Sequence, residues 1–141
     1  MRRPDLIFLL YMAGNALTDL RTGTISLRFA GAFAAAGIIL SAAEARSPLD
    51  VLVSLVPGVV LILLSRASRG GIGSGDGIAV LAAGLFLGPF SLMACLCAGF
   101  FMAAAFAGIL ILKGRRGSST FPFMPFLFLG SALVFLPALF P

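Results

Sequence analysis

The sequence predicts an all-α fold, a polytopic membrane helix bundle of about six transmembrane helices, in a single domain spanning residues 1–141. Three observations carry the prediction. Hydrophobic residues make up 60% of the chain and charged residues 11%, with a mean hydropathy of +1.14, which leaves too little polar surface to cover a water-soluble globule of this length. The apolar residues fall into six runs separated by short stretches of Gly, Ser and Arg. The strict alternation that marks the strands of a membrane barrel is missing, and in lipid a helix is the other way to pair every backbone group.

The runs cover residues 4–18, 27–43, 51–64, 77–87, 90–112 and 123–140. The first follows Arg2 and Arg3 and looks like a secretory signal peptide, but Asp5 interrupts its start and no small-x-small cleavage site precedes a polar mature domain, so it reads as a retained helix. The third and fourth are short against the about 20 residues a helix needs to cross about 30 Å of hydrocarbon. Their missing length calls for local thinning, a water-filled recess, or backbone buried against other helices. The sixth opens on FPFMPF at 121–126. Pro122 and Pro125 donate no backbone hydrogen bond, so its start is expected to be extended or loosely wound, with Pro122, Phe123, Pro125 and Phe126 lining a substrate path. The competing reading is a plain helix start with the phenylalanines facing lipid.

Charge gives the orientation. Arg2, Arg3 and Arg46 fall on one side of the six spans, while seven basic residues from Arg21 to Arg116 fall on the other, which makes the second side cytoplasmic. The net charge of +5 is therefore assigned to topology and to anionic headgroups on that side, and no nucleic-acid motif accompanies it. Cys95 and Cys97, two apart in an apolar run, point in different directions on a helix and are expected to pack without pairing. With no histidine in the chain, Ser/His and Cys/His nucleophilic pairs and histidine metal sites are excluded.

Five acids remain. Asp5, Glu44 and Asp50 map to the external side as interfacial charges. Asp19 ends the first span and Asp76 opens the fourth, and both map to the cytoplasmic side. On neighbouring helices these two carboxylates would meet near one depth, and two carboxylates sharing a site tend to hold one proton between them, one serving as general base and the other as general acid. Gly73, Gly75 and Gly77 surround Asp76, and as an active-site loop they would let an extended peptide approach.

Taken together these residues resemble the type IV prepilin peptidases. DLRTGTIS at 19–26 is similar to the family's first aspartate signature, GSGD at 73–76 matches the GxGD signature of its second, and LAAGLFLG and FPFMPFLFLG also look like the family. The resemblance implies an intramembrane aspartic endopeptidase of the prokaryotic cytoplasmic (inner) membrane. Asp19 and Asp76 would be its catalytic pair, removing the short basic leader of prepilins or pilin-like proteins at the cytoplasmic face with neither metal nor cofactor. Ser26 stands where many members have proline, and Ile78 where they have lysine. Longer members carry paired CxxC motifs and methylate their product; this chain resembles the short, peptidase-only form. Two rival classes stay open, a small proton-coupled transporter and a non-catalytic scaffold of a secretion or pilus system. The transporter would need polar residues continuing into the opposite half of the bilayer, where the sequence offers almost none.

Overall fold

The computed structural model describes residues 3–22, 27–67, 73–114 and 123–136. They form six helices: α1 (Arg3–Thr22), α2 (Leu27–Ala43), α3 (Pro48–Ala67), α4 (Ser74–Phe86), α5 (Pro89–Leu112) and α6 (Met124–Phe135). The fold is all-α, and α3 and α5 are long and apolar enough to cross a membrane. Large apolar side chains such as Leu10, Ile39, Leu63, Phe101 and Leu133 stand exposed on the outside of the bundle, the arrangement a lipid-facing surface takes.

The short helix is the central one. All of α4 from Ala79 to Leu85, apart from a half-buried Leu81, is buried, and it packs chiefly on α3 and α2 and touches α1 and α5. Beyond its first turn the helix is therefore largely enclosed by protein, which is the third of the expected ways to accommodate a short span. The other short run was misjudged. α3 has 20 residues, because Pro48 opens the helix where a missing N–H costs nothing and Ser65, Arg66 and Ala67 continue it beyond the apolar stretch. At the far end, α6 stops at Phe135, with the rest of the expected run beyond residue 136 outside the described residues.

Close helix contacts depend on glycine. A Cβ on Gly58 of α3 would lie 2.6 Å from the backbone nitrogen of Leu81, one on Gly77 2.6 Å from Cγ1 of Ile62, and one on Gly84 would run into the carbonyl of Ser54. α3 and α4 thus meet backbone to backbone along two turns or more. In the second pair, Gly99 of α5 abuts Leu127 and Gly130 of α6. α1 lies against α6 in the opposite direction, with Phe8 edge-on to Phe135 at 6.0 Å near one end and Asp19 beside Met124 at the other.

Candidate active site

Asp19 sits in the last turn of α1 and is buried. Its Oδ2 accepts a hydrogen bond of 3.2 Å from the backbone N–H of Met124, the first residue of α6. The residue ahead of that helix, Phe123, offers no side-chain cap, so a carboxylate from α1 satisfies one of the N–H groups that the start of α6 leaves without a partner. Asp19 thereby ties the end of one helix to the beginning of another.

Asp76 occupies the first turn of α4 and is half-buried. Its N–H donates to the Gly73 carbonyl at 3.2 Å, and its carboxylate folds back over Gly73, where a Cβ would lie 3.2 Å from Oδ2. Glycine at 73 leaves that space to the carboxylate. Gly75, also half-buried, belongs to the first helical turn, and Gly77 is fully buried against α3. The expected glycine loop is therefore divided: Gly73 caps the helix, while Gly75 and Gly77 lie inside it, and Gly77 serves contact between helices.

The two aspartates come together. They stand 57 positions apart in the chain, yet α1 and α4 place the two carboxyl groups near each other. A pair of this kind can hold one proton and can activate water between its members. Among the described residues no three His, Cys, Asp or Glu side chains come together to hold a metal ion.

The FPFMPF segment is placed in part. Pro122 lies outside the described residues. Phe123 is already in a helical conformation, with φ −85° and ψ −31°, and Pro125 falls in the first turn of α6, where proline fits. This corrects the expected loose start from Phe123 onward: the chain is helical there. Phe123 stacks on Phe100 with centroids 4.8 Å apart, and Phe126 tilts against Phe106 at 5.2 Å, so both rings pack on α5, and Phe123 directly precedes Met124, the hydrogen-bond partner of Asp19.

Sequence reading missed Arg46. Counted there as an external charge, it is half-buried, and its guanidinium donates to the carbonyls of Leu85 and Leu87 at 3.0 and 2.8 Å and to the hydroxyls of Ser41 and Ser54 at 3.4 and 3.1 Å. It clasps the carboxyl end of α4, the end remote from Asp76, and ties it to α2 and α3. Polar groups thus do occur in that half, but their hydrogen bonds are spent on one another and on helix carbonyls. Partners 39 and 41 positions away leave no local signal. Ala45, just before it, has a φ of +49°, a left-handed turn that few non-glycine residues adopt.

The fold is an all-helical bundle with an apolar exterior, and Asp19 and Asp76 from separate helices fall at one end of it. The family follows from comparison: the model of the type IV leader peptidase family matches residues 6–112, and the chain belongs to that family. It is a peptidase by this membership. The match contains both aspartates and ends before α6, so the likeness of FPFMPFLFLG lies outside it. Neither a curated protein nor a solved structure gave a match.

Proposed function

We propose that the protein is an intramembrane aspartic endopeptidase that removes the basic leader from prepilins or pilin-like proteins at the cytoplasmic face of the prokaryotic inner membrane, with Asp19 and Asp76 as its catalytic pair. The observation that carries the reading is the convergence of these two carboxylates from α1 and α4 within a leader peptidase family member. The ionised member takes a proton from water as the water oxygen bonds to the scissile carbonyl carbon. The protonated member gives its hydrogen to the carbonyl oxygen. Collapse of the tetrahedral adduct breaks the C–N bond, and a proton passes to the leaving amine, so that one carboxyl again holds a proton and the other is ionised.

Placement supports the substrate class. The pair lies at the end of the bundle where α1 and α3 finish and where α4 and α6 begin, and Arg21, Arg66 and Lys113 stand exposed on segments leading to that end. A basic rim of this kind favours the cytoplasmic side and anionic headgroups. An apolar pilin helix would lie beside the bundle in lipid, with its leader in water and the junction between them at the depth of the aspartates. Phe123, Pro125 and Phe126, on the flank of that site with Pro122 next to them in sequence, are the residues proposed to line its path.

The test uses the purified protein in liposomes with a prepilin-like substrate, the products identified by mass spectrometry. The reading expects one cut, between the basic leader and the apolar helix. An uncleaved substrate together with aspartate-dependent proton flux would favour the transporter.

A further inference from the structure

The buried face of α1 carries Phe8, Met12 and Ala16, and among them runs a line of polar side chains. Tyr11, Asn15 and Asp19 follow one another at i, i+4 and i+8, which stacks them a turn apart on the same side of the helix. Tyr11 is 0% exposed and Asn15 1%, and the stripe ends at the buried carboxylate of Asp19. Asp19 is accounted for by its bond to the start of α6, but packing alone does not call for the polar groups of Tyr11 and Asn15.

Tyr11 is the most telling of them. Its ring stacks on Phe33 at 4.0 Å and on Phe29 at 5.7 Å, and Phe33 in turn meets Phe86 of α4 at 4.7 Å. A phenylalanine would fill this aromatic cluster equally well. The hydroxyl it would lack is fully buried and completes no hydrogen bond among the described residues. The side chain of Asn15 lies beside that hydroxyl, and its Nδ2 donates to the Tyr11 carbonyl at 3.0 Å. An amide has a second N–H and a carbonyl oxygen to offer as well. Two polar side chains that are neighbours without bonding directly make the setting that an ordered water bridges, and buried polar groups of this kind recruit one.

We propose that the Tyr11 hydroxyl and the Asn15 carboxamide hold an ordered water between them, and that this water links the stripe to Asp19. Tyr11 and Asn15 are then positioning residues: they act on the Asp19 carboxylate through the water, one and two turns back along α1, without touching substrate. Their link to catalysis rests on Asp19 belonging to the catalytic pair. The water itself does not.

Two measurements test this on the intact protein in detergent or liposomes. Tyr11→Phe removes only the hydroxyl. Its melting temperature falls by about 2–4 °C if the hydroxyl is bonded through water, and rises if the hydroxyl is an orphan whose removal relieves a cost. In the cleavage assay, Tyr11→Phe and Asn15→Leu each lower kcat about tenfold with KM unchanged, and the double variant loses little more than either single one because both hold the same water. A higher melting temperature for Tyr11→Phe overturns the water, and an unchanged kcat in both folded variants overturns the link to Asp19. Should the wild type cleave no prepilin-like substrate, the peptidase reading fails while the melting comparison still decides the water site.

Discussion

Gly73 and Gly77 flank Asp76 within one short motif and do different things. At 73 the missing side chain makes room for the Asp76 carboxylate; at 77 it lets α4 lie on the backbone of α3. Gly77→Ala is therefore expected to cost about 1–3 kcal/mol in a denaturation experiment, since its methyl meets the Ile62 side chain at 2.6 Å and the Ile62 backbone nitrogen at 2.9 Å. Gly31→Ala, on an exposed face of α2 with no atom within 4 Å, is the control and should gain about 0.5–1 kcal/mol. Asp19 is also structural as well as chemical. Asp19→Asn keeps a carbonyl oxygen for the Met124 N–H and is expected to fold, whereas Asp19→Leu loses it and should lower the melting temperature. That Asp19 and Asp76 fall at one end of the bundle was legible in the sequence, because charge is so scarce there that two acids at helix ends stand out. The task of Gly77 was not, since a glycine in a turn and a glycine under a neighbouring helix look the same on the page.

At the scale of the helix, α4 is held from both ends. Arg46 clasps its last carbonyls, and Asp76 turns back over Gly73 at its first turn, about 15–20 Å away along the axis. Arg46→Gln should lower stability by about 2 kcal/mol, since it removes charged hydrogen bonds to Leu85 and Leu87 and leaves half-buried acceptors behind. Arg46→Lys is expected to recover only part of this, because an ammonium is a point charge and cannot span two carbonyls and two hydroxyls as the guanidinium fork does. Thermal melting of the three proteins side by side checks both statements. The boundaries of α3 were misread from sequence for a related reason. Pro48, Asp50, Ser65 and Arg66 interrupt an apolar pattern without interrupting a helix, and hydropathy cannot distinguish the two.

At the scale of the whole molecule, composition and six apolar runs were enough to give an all-helical bundle, because lipid removes the alternatives to a helix. They did not give its arrangement, with α4 at the centre, α3 on it through glycines and α1 against α6. The contacts that set this arrangement join residues far apart in the chain, as Ser41 does to Leu85 and Asp19 to Met124. The arrangement in turn brings Asp19 and Asp76 to one end of the bundle, and peptidase chemistry by that pair is the claim on which the account stands. The measurement that bears on it most directly is the rate of leader cleavage by the wild type, Asp19→Asn and Asp76→Asn, each shown to be folded by size-exclusion chromatography. The account predicts that the wild type cuts and that both folded variants lose at least about a hundredfold in rate. Cleavage at the wild-type rate by either variant would contradict it.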